Sequence, residues 1–227
     1  MRLIIISTPI GFLGSGRGGG VELTLNSLVN GLLNQNHLIN VVAPINSKLS
    51  ESCVFANLYT VKGYKQKSWQ HQNYLAKTKI SKTSLVNVML EKALSLMKDC
   101  DAIINMSYDY LPISKTLEVE YPILHLISMG DESNEVSKII SKVYSKYPYN
   151  FAFHSKAQAS DFPFIEDPII LGNGFELSKY NFQEKKDGPL AWVGRVAPEK
   201  GLEDAVYAAN QMKEKLNVWG VVEDELY

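Results

Sequence analysis

Apolar residues fall along this chain in short unbroken runs, separated by stretches in which they recur every three or four positions. The run from Leu3 to Ser7 is rich in β-branched residues and reads as a strand buried on both faces. From Gly20 to Asn34, Leu25, Leu28, Val29, Leu32 and Leu33 recur at helical spacing, and Leu38 to Ala43 is again strand-like and closed by Pro44. These segments predict one β-α-β unit. Asn36-His37 reads as the helix C-terminus, where Asn tolerates the left-handed conformation, so His37 is expected to be structural. Leu85, Met89, Ala93 and Leu96, with Val86, Leu90, Leu94 and Met97, predict an amphipathic helix leading into a strand at Ala102 to Asn105. A short helix over Asp109 to Glu118, a strand from Pro122 to Ile127, a helix marked by Val136, Ile139, Ile140, Val143 and Tyr144, and strands at Phe151 to Phe153 and Ile169 to Leu171 follow. Between Glu51 and Lys82 the pattern is weak: Leu58 to Val61 reads as a strand, and Trp69 to Tyr74 fits either helix or loop.

Strands alternating with helices imply a parallel sheet covered on both faces, because each crossover helix buries one face of the strands it joins. The expected fold class is therefore α/β, a doubly wound, Rossmann-like parallel sheet. The polar stretch from Ser178 to Gly188 reads as a linker, after which the pattern restarts with a strand at Leu190 to Val193, a helix at Leu202 to Lys215 and a strand at Val218 to Trp219. This places one domain at 1–183 and the start of a second, Rossmann-like one at 184–227. The latter has only about 40 residues, below the size at which a domain usually stands alone.

Composition narrows the function classes. The 227 residues are 45 % hydrophobic and 21 % charged, as in ordinary folded proteins. The 23 Lys and Arg nearly cancel the 24 Asp and Glu, leaving −1, so no whole-chain field is present to hold a nucleic acid or an anionic membrane. Cys53 and Cys100 are far apart and lack metal-ligand spacing, which fits two buried thiols in a reducing compartment. The amino-terminal apolar run is too short for a signal peptide, and nothing approaches the roughly 20 apolar residues of a transmembrane segment. A cytoplasmic protein is expected.

Six of the fifteen glycines lie between Gly11 and Gly20, in the loop that follows the first strand and opens the first helix. Glycine lets backbone approach a ligand closely, and a helix start adds unpaired N–H groups and a positive dipole end, worth about 0.3 to 2 kcal/mol toward an anion. A phosphate or sugar is the expected occupant; a ligand-free flexible loop is the alternative. Gly14, Gly16 and Gly19 also satisfy Gly-x-Gly-x-x-Gly, which raises a nicotinamide enzyme as a further alternative. That reading needs an acidic residue at the end of the second strand, and Ala43-Pro44-Ile45-Asn46 has none. No Walker sequence is present.

Gly194-Arg195-Val196-Ala197-Pro198-Glu199-Lys200-Gly201 joins a strand to a helix. It sets Arg195 just past the carboxyl end of the strand and Lys200 at the mouth of the helix, where doubly wound sheets bind ligands. Two cations there suit a diphosphate, each charge-assisted bond contributing roughly 1.5 to 3 kcal/mol; a solvated basic loop is the alternative.

At these residues the chain resembles the two-Rossmann-domain (GT-B) retaining glycosyltransferases of the family that holds relatives of sucrose and glycogen synthase. Gly19-Gly20-Val21-Glu22, the Asn36-His37 turn, Gly172-Asn173-Gly174 and Gly194 to Gly201 look like that family's landmarks, in order, across nearly the whole chain. The string from Leu13 to Leu23 resembles the cyanobacterial pterin glucosyltransferases most closely. The resemblance implies that Arg195 and Lys200 contact the diphosphate of a nucleotide sugar, and that Gly19 and Gly20 close over it from the opposite domain. It also implies a hexose carried by a UDP- or GDP-sugar, transferred with retention to a small-molecule acceptor. The nucleotide sugar is then a substrate rather than a cofactor, and no metal is required.

Several features depart from the family. Its second domain carries a Glu-x7-Glu pair that holds the donor, and this chain has none after Gly201. Gly220-Val221-Val222 stands where Gly-x-Gly is usual, and Ser128-Met129-Gly130-Asp131 stands where many members have a His. The chain is therefore expected to be an incomplete form, inactive by itself. His125 and His154 read as packed or hydrogen-bonded residues. Asp109, Ser128 and Asp131 follow strands and are acceptor-side candidates by position, although helix capping explains either carboxylate equally well. Trp69, Tyr74, Tyr108 and Tyr110 would stack on a flat acceptor or pack in the core. No catalytic residue is assigned. A non-catalytic binding or assembly module and an NAD-dependent Rossmann enzyme are the rival readings.

Overall fold

In a computed structural model, which describes residues 1–77, 81–184 and 188–222, the chain divides into two compact units, Met1–Phe175 and Glu176–Tyr227. Residues 185–187 of the expected linker lie outside the described residues.

The first unit contains, in chain order, β1 (Arg2–Ile6), α1 (Gly20–Asn34), β2 (Leu38–Pro44), β3 (Asn57–Val61), α2 (Leu85–Leu96), β4 (Ala102–Asn105), α3 (Tyr110–Lys115), β5 (Ile123–Ile127), α4 (Asn134–Tyr144), β6 (Phe151–Phe153), α5 (Lys156–Ala159) and β7 (Ile169–Ile170). Its seven strands form one sheet in the order β3-β2-β1-β4-β5-β6-β7, and every pairing is parallel. This is the doubly wound, Rossmann-like α/β fold that the alternation of apolar patterns predicts. β1 runs beside both β2 and β4, with Ile6 level with Val42 on one side and Asn105 on the other.

Period-two alternation explains the two-sided core. Leu3 and Ile5 of β1 pack with Leu25 and Val29 of α1. Ile4 and Ile6 point to the other face, onto Leu85, Met89 and Ala93 of α2. A third cluster joins Ile139, Ile140 and Val143 of α4 to Ile127, Phe151 and Phe153. The α1 C-terminus ends as its sequence predicts: Asn36 sits at φ 61, and His37 N donates to Leu32 O at 3.1 Å. In the weakly patterned stretch after β3, Trp69–His71 form a 3-10 turn.

The second unit holds β8 (Leu190–Val193), α6 (Leu202–Met212) and β9 (Leu216–Trp219), with β8 and β9 parallel. Helix α6 stops short of Lys215 because Lys213 turns left-handed at φ 56. Gly194 N donates to Trp219 O at 3.0 Å, and a Cβ on Gly220 would overlap the Gly194 carbonyl oxygen. Glycine at position 220 is therefore required by close backbone packing. Val193, Val206, Tyr207 and Trp219 remain exposed on this unit.

Candidate functional site

The order β3-β2-β1-β4 makes the β1/β4 boundary a topological switch point, because the chain leaves β1 toward β2 on one side and returns to β4 on the other. In open α/β sheets, ligands bind outside the carboxyl ends of the strands at this point. Met106 N donates to Ile6 O at 2.9 Å there, so the loops after β1 and β4 start side by side. The described surface also has an open polar cavity lined by Arg2, Asn36, Lys98 and Asp101, among others. It lies at the amino-terminal ends of the strands, away from the switch point.

The glycine-rich loop after β1 is folded around a side chain of its own helix. Glu22 Oε2 accepts from Gly14 N at 2.7 Å and Gly16 N at 3.3 Å, and Oε1 accepts from Gly18 N at 2.8 Å and Ser15 Oγ at 3.1 Å. Gly11, Gly14, Gly16 and Gly19 all have positive φ, between 57 and 92, which is what turns the amides inward. At Gly18 a Cβ would meet Glu22 Cγ at 2.9 Å. Leu13 anchors the loop in the core, and its N–H donates to Ser47 Oγ at 3.0 Å. Helix α1 begins at Gly20 with no side-chain cap on its N-cap, Gly19, and the space beside Gly20 Cα is open.

The expectation that this loop closes over an anion thus divides by residue. The amides of Gly14, Gly16 and Gly18 hold the chain's own carboxylate, while Gly19 and Gly20 form an open helix start. The same geometry opposes the nicotinamide reading, since two glycines of the formal fingerprint, Gly14 and Gly16, turn their N–H groups onto Glu22 rather than outward to a pyrophosphate. The sequence marks Glu22 only as part of the landmark Gly19-Gly20-Val21-Glu22 and gives it no role of its own; its third position in the helix, where an acidic side chain reaches back to cap, was the available signal.

Two of the acceptor-side candidates, Asp109 and Asp131, are each held by the segment after β3, through Gln66 and Tyr74. Asp109 is the N-cap of α3, with Oδ1 accepting from Leu111 N at 3.1 Å, and Oδ2 accepts from Gln66 Nε2 at 2.6 Å. Burial pushes its carboxyl above the usual carboxylate range, and the Gln66 and Leu111 bonds offset part of that penalty. Trp69 Nε1 also faces this carboxylate, although it is buried without a hydrogen bond of ordinary geometry. Asp131 Oδ2 accepts from the Tyr74 hydroxyl at 3.0 Å, whereas its Oδ1 is buried with no partner among the described residues. Tyr108 Oη accepts from Glu132 N at 3.2 Å, and burial raises its pKa well above that of an ordinary phenol. Ser128 is half-buried at the end of β5. Gln66 was not singled out by sequence reading, and nothing in its polar, weakly patterned surroundings marks it.

His125 lies in the core, as expected. Asn105 Nδ2 faces its Nδ1 at 3.0 Å, and Thr116 Oγ1 faces its Nε2 at 2.8 Å. Asn105 can only donate from that nitrogen, so the ring is neutral with the proton on Nε2. Burial pushes its pKa down to about 3. His154 faces Gly172 O through Nδ1 at 3.0 Å.

In the second unit, Arg195 follows β8 and pairs with Glu199 at 3.2 Å. Lys200 ends the 3-10 turn Pro198–Lys200, next to Gly201, the N-cap of α6, which has φ 60 and no side-chain cap. The strand-loop-helix placement expected for the two cations is present, with Glu199 as a carboxylate partner that sequence reading did not assign to Arg195.

No family model and no curated protein matches the chain. Among solved structures, one described as the glycotransferase of kitacinnamycin is similar over 96 % of this chain, at 8 % identity and a TM-score of 0.52. The present chain spans 64 % of that protein. The glycosyltransferase SsfS6 of Streptomyces sp. SF2575, complexed with thymidine diphosphate, aligns over 100 % of this chain and 69 % of its own, at 14 % identity and a TM-score of 0.48. At 8 % identity, the likeness to the first of these is one of fold.

Proposed function

We propose that the chain is part of a GT-B glycosyltransferase that moves a hexose from a nucleotide sugar, a UDP- or GDP-sugar, to a small acceptor. The observation that carries this reading is the uncapped start of α1 at the switch point of an all-parallel sheet, with open space beside Gly20. The positive end of a 15-residue helix favours an anionic ligand there. Arg195 and Lys200 flank a second uncapped helix start, that of α6, and act on the donor's diphosphate, where positive charge stabilises the leaving group without a metal. The fold shared with a glycotransferase supports the reading, as do the landmarks Gly19-Gly20-Val21-Glu22 and Gly194 to Gly201.

Asp109, Ser128 and Asp131 are proposed to face the acceptor. The unsatisfied Asp131 Oδ1 supports this, because a buried acceptor atom calls for a donor. The string from Leu13 to Leu23 supports a pterin as that acceptor. The free thiols of Cys53 and Cys100 support a cytoplasmic setting, and among the described residues no helix is long and apolar enough to cross a membrane. No cofactor or nucleic acid enters this reading. The second unit is read as donor-side, with Val193, Val206, Tyr207 and Trp219 exposed on it.

Calorimetric titration of the protein with UDP and GDP, and with uridine and guanosine as controls, tests the donor reading. One diphosphate should bind at least tenfold more tightly than its nucleoside. Equal affinity of both diphosphates and their nucleosides would remove the donor assignment.

A further inference from the structure

The Glu22 carboxylate is buried, at 8 % exposure, yet no cation is among its hydrogen-bond partners, which are three backbone N–H groups and one hydroxyl. Consecutive inward-turned amides form a concavity that attracts anions, the device by which phosphate loops hold phosphates. Here left-handed Gly14 and Gly16, at φ 92 and 74, build such a concavity, and a side chain from the first turn of α1 fills it. An ordinary capping box has an acidic residue at the third helical position reaching back to its own N-cap amide. Glu22 reaches further: Gly19 N is taken by Gly16 O at 3.2 Å, and the carboxylate continues to Gly18, Gly16 and Gly14. Burial of an ionised carboxylate is tolerable because these donors replace its hydration.

We propose that the glycine-rich loop is an anion-binding nest whose resident anion is the chain's own Glu22 carboxylate. Glu22 is thereby a positioning residue. It folds the loop before any ligand arrives and keeps a donor's phosphates out of the Gly14–Gly18 amides, leaving the start of α1 as the part of the first unit open to them. The consequence for the donor rests on the nucleotide-sugar reading; the nest does not.

The test uses Glu22→Ala, which deletes the atoms that acetate would replace, a methyl carbon and a carboxylate. In the parent, the Gly14, Gly16 and Gly18 amides should exchange slowly with deuterium. In the variant their protection should fall tenfold or more, and acetate should restore it and raise the melting temperature, while chloride at equal ionic strength should not. Unchanged protection, or equal responses to acetate and chloride, would overturn the proposal. If Glu22→Ala does not fold, Glu22→Gln decides: its NH2 group cannot accept, so the amides on one oxygen should lose protection and those on the other keep it. Parent-like protection at all three glycines would overturn the nest. UDP titration of the same proteins addresses the donor. The Ala variant should bind UDP at least tenfold more weakly, with acetate restoring the affinity. UDP affinity that rises in the variant would mean that the phosphates enter the emptied nest, contrary to the positioning role. Failure of the parent to bind UDP would remove the donor reading and leave the exchange and acetate results to decide the nest.

Discussion

The Gln66 side-chain amide donates to Asp109 Oδ2 at 2.6 Å, linking the segment after β3 to the loop after β4 at the carboxyl edge of the sheet. Forty-three positions separate the two residues, and the bond places a buried carboxylate beneath a polar side chain rather than in solvent.

Asp109 gives the fold a distinctive pH response. Its carboxyl titrates above the ordinary value because burial disfavours the charged form. Between the unfolded value near 3.9 and the raised folded value, the native state holds more protons, so stability falls as pH rises through that window. Asp109→Asn should remove this component, because Asn still caps α3 but does not ionise. Denaturant unfolding of parent and variant from about pH 4 upward checks it. Parallel stability curves for the two proteins would contradict the buried-carboxylate account.

His125 works in the opposite direction. With its folded pKa at about 3 and an unfolded value near 6.5, the unfolded chain takes up the proton first. Stability should therefore drop by up to about 1.4 kcal/mol per pH unit as pH falls from about 6.5 toward 3. Thr116→Val leaves the Nε2 proton without its acceptor and should cost about 1 to 3 kcal/mol at neutral pH. Thermal melts at neutral and acidic pH test both; a Thr116→Val variant as stable as the parent would mean that the ring is satisfied elsewhere.

Gly19 and Gly20 should separate cleanly. Gly19→Val places a side chain on a residue at φ 57 and ψ −138, a conformation costing a side-chain-bearing residue about 1 to 3 kcal/mol. The effect of that substitution on folding is therefore expected to be large. Gly20 is helical, exposed and open at its Cβ position, so Gly20→Ala should hold or raise the stability, by up to about 1 kcal/mol of helix propensity. Gly20→Leu should then weaken UDP binding without unfolding the protein. UDP affinity indifferent to Leu at this position would move the donor away from α1.

The Arg195–Glu199 pair predicts a competition. Arg195→Ala and Lys200→Ala should each weaken UDP binding by roughly 1.5 to 3 kcal/mol, about ten- to a hundredfold, and the two effects should be non-additive because both cations meet one diphosphate. Glu199→Gln removes the carboxylate paired with Arg195 at 3.2 Å and should strengthen UDP binding. A double-mutant cycle with uridine as control measures all three, and affinities unmoved by either cation would place Arg195 and Lys200 outside the donor site.

The pattern of apolar residues by itself determined the order of strands and helices, their parallel arrangement and the two-sided burial of β1, because periods of two and of three to four residues are local properties written directly in the chain. It likewise marked the left-handed turn at Asn36 and the strand-loop-helix setting of Arg195 and Lys200. It did not determine what the glycines at 11 to 20 enclose. The sequence shows a phosphate loop and an acid-capped loop as the same run of glycines, and only the fold of α1 back toward β1 brought Glu22 onto the amides of Gly14, Gly16 and Gly18. The pairings Gln66–Asp109 and Tyr74–Asp131 were equally hidden. They join polar residues more than 40 positions apart, and no periodicity encodes a hydrogen bond between loops that meet only once the sheet has assembled.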